Sequence, residues 1–314
     1  MKVLKILGIV LLVIVGLVVA LLLLIWRNNT KPLCAADYYE KLSTNSPLED
    51  KCARKGCFSV STIEFPSDDE KIGSYKVWYP AELPQSDRLW PMVISANGSG
   101  CPASRYEPWF ERLASWGFVV VGNQDHHTGT GYSPSASLDL MLAENSNPNS
   151  LFYGKIDLDN IGIAGHSQGG VGAVNAVTSY ENGRYYKTIF TACATHQVLA
   201  DALGWTFDPS KVTIPWFMTA GTGPADTGEG ENYGIAPLPS LQENAAALPD
   251  GVASVIARAV DADHGDVLER ADGYMTAWML YWLQDDQEAG RVFFGNDPEL
   301  LKNPLWQDVE ILDF

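Results

Sequence analysis

The stretch Gly165-His166-Ser167-Gln168-Gly169 limits what this chain can fold into more than any other. An apolar run, residues 161–164, leads into it, and an Ala/Val-rich segment, residues 171–177, leads away. Buried strand, sharp turn and helix start therefore follow one another almost without a spacer. Glycines two places either side of a serine are what such a turn demands, because the strand and helix backbones pass too close for side chains. The turn lifts the Ser167 hydroxyl clear of the sheet. It also aims unpaired amides of the helix N-terminus at negative charge formed beside that hydroxyl, with the Gln168 N–H as the nearest donor. A plain glycine-rich turn matches the same five residues; the flanking strand and helix favour an activated serine.

The remainder of the chain alternates in the same way. An antiparallel pair is expected at residues 58–65 and 75–79, where apolar and polar residues alternate around Pro66-Ser67-Asp68-Asp69. Buried-type strands are expected at 92–95, 118–121, 161–164, 188–192, 215–220 and 253–260. Helices are expected at 105–116, 137–142, 168–180, 238–248 and 267–283. Trp109, Phe110, Leu113 and Trp116 recur at helical spacing and read as core. This order predicts an α/β fold, a mostly parallel central sheet with helices on both faces, forming one domain over residues 56–314. With 46% hydrophobic residues in 314, the chain can fill one large core.

Residues 6–26 form an unbroken apolar run of 21 residues, long enough to cross about 30 Å of hydrocarbon as a helix. No small-residue cleavage site follows in Trp26-Arg27-Asn28-Asn29-Thr30-Lys31, so residues 1–27 read as a retained signal anchor and transmembrane helix. Cleavage and secretion is the alternative. The balance of Lys2 and Lys5 against Arg27 and Lys31 leans only slightly toward a cytoplasmic N-terminus and an extracytoplasmic domain. Residues 28–55 are polar and read as a tether with one short helix at 36–42. The net charge of −17 argues against a nucleic-acid partner, which needs clustered Lys and Arg. Five cysteines suit an oxidising compartment, with pairing open among Cys34, Cys52 and Cys57 and, separately, between Cys101 and Cys193. No Cys/His spacing resembles a zinc site, and no metal or other cofactor is expected.

A serine hydroxyl needs a base to take its proton, and histidine has the pKa for it. Of His126, His127, His166, His196 and His264, only His264 follows directly after the last expected strand and before the last helix, in Asp261-Ala262-Asp263-His264-Gly265-Asp266. That places it at the carboxyl edge of the sheet beside the elbow, and last in a Ser, acid, His order. His166 reads as a wall of the pocket, and the adjacent His126 and His127 as loop residues. The acid that orients the imidazole is read as Asp226, shortly after the strand at 215–220, with Asp261 and Asp263 as rivals close to His264. The glycine-rich loop Ala96-Asn97-Gly98-Ser99-Gly100-Cys101-Pro102 stands where a second oxyanion donor is found.

With these residues placed, the chain resembles the α/β-hydrolase superfamily and, within it, the cutinase and polyester-hydrolase group. Chlorophyllase-like and platelet-activating-factor-acetylhydrolase-like esterases are relatives. The likeness is carried by residues 112–121, Arg-Leu-Ala-Ser-Trp-Gly followed by Phe118-Val119-Val120-Val121, and by Tyr153-Gly154-Lys155-Ile156-Asp157 ahead of the elbow. Val212-Thr213-Ile214-Pro215 and Ala277-Trp278 carry it further. The resemblance implies a serine esterase working through an acyl-enzyme, with Ser167 as nucleophile, His264 as base and Asp226 as acid. It implies backbone donors at Ser99 and Gln168, and Gly100 and His166 beside a soluble or lipid-like ester substrate. An acyltransferase with the same triad, or a non-catalytic binding protein on the same fold, is the alternative. The group often has an aromatic residue where Ser99 falls, Met where Gln168 falls, and an acid closer to its strand than Asp226.

Overall fold

The structure, a computed structural model, describes residues 30–229 and 233–312. The expected membrane span at residues 1–27 lies outside the described residues, and among these no helix is long and apolar enough to cross a membrane. One sheet of nine strands runs in the order β1-β2-β4-β3-β5-β6-β7-β8-β9. The strands are β1 (Val60–Pro66), β2 (Ser74–Pro80), β3 (Trp90–Ala96), β4 (Val119–Asn123), β5 (Ile156–His166), β6 (Tyr186–Ala192), β7 (Trp216–Gly221), β8 (Ser254–Ala259) and β9 (Trp306–Leu312).

From β4 through β8 every neighbouring pair is parallel, while β1, β2 and β9 join antiparallel at the two edges. The apolar runs explain this layout. β3, β4 and β7 are buried at every residue, as strands covered on both faces must be. Helices Tyr132–Ser146 and Gln168–Thr178 pack together on β3 to β6, and Glu107–Ala114, Asp272–Gln284 and Pro47–Ala53 form the other layer. Gly162 of β5 lets that second layer approach, since a Cβ there would come within 2.9 Å of the Met279 sulfur.

All six parallel strands end at one edge. The chain leaves β3 for β4 on one side and then returns to lay β5 on the other, so the order of strands reverses at β3. Such a reversal opens a crevice at the carboxyl edge. The loop after β3, the elbow after β5, Cys193 after β6, Asp226 after β7 and His264 after β8 all come out there.

The elements differ from expectation at several places, the helix expected at 137–142 spanning Tyr132–Ser146 and a helix Gln197–Ala202 being unexpected among them. The strand expected at 161–164 begins at Ile156, its polar first half pairing with Trp90 before the apolar run. The helix expected at 267–283 is two, Val267–Arg270 and Asp272–Gln284. β9 was not anticipated, because Gln307, Asp308 and Glu310 make an edge strand too polar to stand out, and it is held through Arg258 Nε on Asp308 Oδ2 at 2.8 Å.

Residues 34–53, within the stretch read as a tether, pack on the domain. Cys34, Tyr38, Cys52 and Ala53 are buried there, around helices Tyr38–Lys41 and Pro47–Ala53. Beneath them Arg112 and Asp272 form an ion pair with both side chains fully buried. Arg112 Nη1 donates to the Cys52 carbonyl at 2.6 Å, and the Tyr38 hydroxyl donates to Asp272. Every donor and acceptor of the pair is thus engaged, which is what burying two charges requires.

Candidate active site

Ser167 sits where the sequence places it, between the end of β5 and helix Gln168–Thr178. Its backbone has φ 57° and ψ −123°, a region that non-glycine residues enter only when their surroundings force it. The surroundings do so. A Cβ on Gly165 would lie 2.1 Å from the Gly169 carbonyl oxygen, and one on Gly169 would lie 2.0 Å from that of Ala96. The turn is held by the Ser167 N–H on the Ala192 carbonyl at 2.9 Å and by the Gly170 N–H on the Ser167 carbonyl at 2.9 Å.

His264 Nδ1 and Asp226 Oδ1 are 2.6 Å apart. Asp226 is fully buried on the single turn Pro224–Thr227, and its second oxygen accepts the Gly221 N–H at 2.7 Å. Neither rival acid reaches the imidazole among the described residues. Asp263 Oδ1 instead accepts the Ala225 N–H at 3.1 Å and the His264 N–H at 3.0 Å, bracing the acid-bearing turn against the histidine loop. Asp261 is exposed, its amide bonded to the Thr222 hydroxyl. The Ser167 hydroxyl makes no hydrogen bond among the described residues. Contacts of this kind are commonly long before substrate binds. His166, next to Ser167 in the chain, lies beside the histidine loop: the His166 and His264 rings are 5.1 Å apart, and His166 Nε2 is 3.4 Å from the His264 carbonyl oxygen.

Gln168 is buried at the first position of its helix, where the N–H has no partner within the helix. Its side-chain Oε1 accepts from the Thr128 N–H at 3.2 Å. On the loop after β3 the Gly98 N–H is taken by the Tyr106 hydroxyl and the Gly100 N–H by the His126 carbonyl. The Ser99 N–H is left without an acceptor among the described residues, on an exposed turn. Gly100 is exposed at φ 68°, beside it.

Two further residues belong to the surroundings of the site: Tyr106, which the sequence did not single out, and Cys193, which the sequence places at the carboxyl edge near the elbow. Tyr106, which begins the helical layer after the glycine-rich loop, is buried with its hydroxyl 3.1 Å from His166 Nδ1. Cys193 is wholly buried after β6, with its thiol 3.5 Å from the His264 carbonyl oxygen. Nothing in the local sequence marks Tyr106, since its relation to His166 joins residues far apart in the chain. Burial, then the Asp226 charge, hold the Cys193 thiol well above its usual pKa. Burial, then the nearby His264, push the His166 imidazole down to about 3.

Cys193, Asp226 and His264 are the one group of three among the described residues able to hold a cation, their ligand atoms lying within 4.8 Å of one another. The direct Asp226–His264 bond already occupies two of those atoms, so a cation would have to displace it. His126 and His127 are exposed. All five cysteines are free thiols: Cys101 faces the Arg105 guanidinium at 3.3 Å while Cys193 faces the histidine loop, so the bridge considered between them is not formed. A cavity of about 630 Å³ lies at the opposite edge, at the amino ends of β6 to β8 among Lys187, Ile214, Val252 and Trp282, and shares no residue with this cluster.

Residues 41–193 match the family described as PETase, PET hydrolase-like. That span holds the elbow and the loop after β3 but stops before Asp226 and His264. Cutinase est2 of Thermobifida alba is 33% identical over 151 residues, covering 45% of this chain and 46% of that protein. Cutinase cut1 of Thermobifida fusca is 32% identical over 154 residues, covering 46% of this chain and 44% of its own. The chain thus matches less than half the length of these relatives.

Proposed function

From a chain that resembles the cutinase and polyester-hydrolase group of α/β hydrolases, we propose a carboxylic ester hydrolase with Ser167, His264 and Asp226 as its triad. The observations that support this reading are a strained elbow serine and an imidazole bonded to a buried carboxylate at 2.6 Å, both emerging at the same sheet edge.

In the proposed reaction the Ser167 oxygen attacks the ester carbonyl carbon while His264 Nε2 takes the hydroxyl proton. Asp226, accepting from Nδ1–H, fixes the tautomer that leaves Nε2 free and stabilises the imidazolium. The oxyanion is met by the Ser99 and Gln168 N–H groups, preorganised by a turn and a helix start. Collapse expels the alcohol, which leaves with the proton from His264, and the acyl group stays on Ser167. Water then attacks the acyl-enzyme as His264 takes its proton, and collapse breaks the acyl bond, the Ser167 oxygen leaving with that proton from His264 and the acid departing. Gly100 and the edge of His166 flank the substrate.

With Ser99 and Gln168 in place of bulkier apolar residues, soluble or lipid-like esters suit this site better than an aromatic polymer. We also propose that residues 1–27 anchor the protein in a membrane with the domain on the extracytoplasmic side. The test of the activity is hydrolysis of short p-nitrophenyl esters by the full chain and by Ser167→Ala. Turnover should fall by several orders of magnitude in the variant. A variant keeping more than about a tenth of the parental rate, against the losses such triads show, would remove Ser167 from the reaction.

A further inference from the structure

We infer that Tyr106 and His166 form a positioning link between the turn that carries the Ser99 amide and the loop that carries the His264 ring. It rests on the esterase reading, and adds to it a means by which oxyanion donor and base are set relative to each other.

The link is built from four groups in sequence. The Gly98 N–H donates to the Tyr106 hydroxyl at 2.9 Å, the hydroxyl lies 3.1 Å from His166 Nδ1, and His166 Nε2 lies 3.4 Å from the His264 carbonyl oxygen. The proton positions follow from which groups can only accept. A carbonyl oxygen has no proton, so Nε2 must carry the imidazole hydrogen. Neutral His166 then offers a bare Nδ1, and the Tyr106 O–H donates to it while accepting from Gly98. Only a neutral phenol and a neutral imidazole of that tautomer satisfy every group. Burial favours both neutral forms, raising the Tyr106 phenol and lowering His166.

The packing leaves the link little play. Tyr106 is 1% exposed, with its ring stacked on Phe110 at 5.6 Å. A Cβ on Gly98 would come within 3.0 Å of both the Tyr106 hydroxyl and His166 Nδ1, so the turn rests directly on the link and needs glycine to do so. The Cys101 N–H closes that turn on the Gly98 carbonyl at 3.1 Å, with Ser99 held between. At the other end the His264 carbonyl also faces the Cys193 thiol at 3.5 Å, so the base is gripped from the ends of both β5 and β6. Tyr106 makes no hydrogen bond to Ser167 or to the Ser99 and Gln168 amides, and acts through His166, Gly98 and the Cys101 thiol that its hydroxyl also meets in the same turn.

The experiment compares the full chain with Tyr106→Phe, which removes one oxygen, with His166→Phe, which keeps a ring but no nitrogen, and with the double variant. Reactive sites are first counted by fluorophosphonate titration, and turnover of p-nitrophenyl butyrate is expressed per titrated site. A loss of folded protein lowers the count; misplacement of donor and base lowers kcat per counted site. Tyr106→Phe should lower kcat per site by about tenfold or more with KM changed by less than about twofold, because a shift of about 1 Å in such groups costs up to a hundredfold. The double variant should be no slower than the slower single one, since either cut breaks the same link. If Tyr106→Phe does not fold, His166→Phe should lower kcat per site in the same way from the other end, with KM left out of the criterion because the His166 ring edge flanks the substrate. Parental kcat per site in either variant, or losses that multiply in the double, would overturn the link while leaving the esterase reading in place. A parent that neither titrates nor hydrolyses would overturn the esterase reading and the link with it.

Discussion

The choice of acid turns on what lies against His264 Nδ1, and there the three aspartates differ. Asp226 is bonded to the ring, whereas Asp263 bonds backbone amides and Asp261 faces solvent. Asp226→Asn should therefore lower kcat by about four orders of magnitude through loss of the right tautomer, and Asp261→Asn should stay close to the parent. Steady-state rates on p-nitrophenyl butyrate decide, and the reverse ranking would move the acid to Asp261. His166 gives a second test. Its pKa in the folded protein is about 3, against 6.5 for an ordinary histidine. Between those values the unfolded chain binds a proton that the folded chain refuses, so stability is whole above 6.5 and drains as the pH falls. The rate is up to about 1.4 kcal/mol per pH unit. Urea melts of parent and His166→Phe should diverge in slope over this window, the parent losing stability faster; parallel slopes would mean that His166 titrates normally. Ser167 and His264 were legible because one lies in a local pattern and the other ends the strand order. Tyr106 was not, since only the fold brings its hydroxyl to residue 166.

The elbow depends on three backbones meeting with no side chain between them. Gly169 passes against the end of β3, where a Cβ would fall 2.0 Å from the Ala96 oxygen, and Gly170 against Ala194, 2.5 Å from its Cβ. Gly169→Ala should cost about 1–3 kcal/mol or more, as overpacking does, and activity should fall with it because Gln168 and Ser167 move with the turn. Chemical denaturation alongside titration of reactive sites measures both; a variant with parental stability and site count would show that the turn has room. The strand–helix alternation was legible because buried parallel strands are apolar along their whole length. β9 escaped because Gln307, Asp308 and Glu310 make an edge strand too polar to stand out, and the division of the long helix escaped because the bend at residue 271 leaves no break in hydropathy.

At the scale of the whole molecule, residues 34–53 lock onto the domain through Tyr38, Cys52 and the buried Arg112–Asp272 pair. Composition alone reads that stretch as a spacer, because its polar residues outnumber the few that anchor it. Burial outweighs Arg112 and raises the Asp272 pKa, so the carboxylate is held ionised at some cost. Arg112→Met should destabilise by about 3–5 kcal/mol, and Arg112→Met with Asp272→Leu should recover much of that, since removing both charges leaves none buried alone. Thermal melts of the two variants check this, and equal losses would show that the pair acts only through its shape. If residues 1–27 anchor the chain, protease added to intact cells should free the domain by cutting ahead of Cys34, the first residue of the segment that is buried. The most direct measurement is reaction of the full chain with a fluorophosphonate, followed by peptide mapping of the adduct. The label should sit on Ser167 and be absent from Ser167→Ala. Ester hydrolysis with the label on another residue, or with no label at all, would contradict a nucleophile at the elbow.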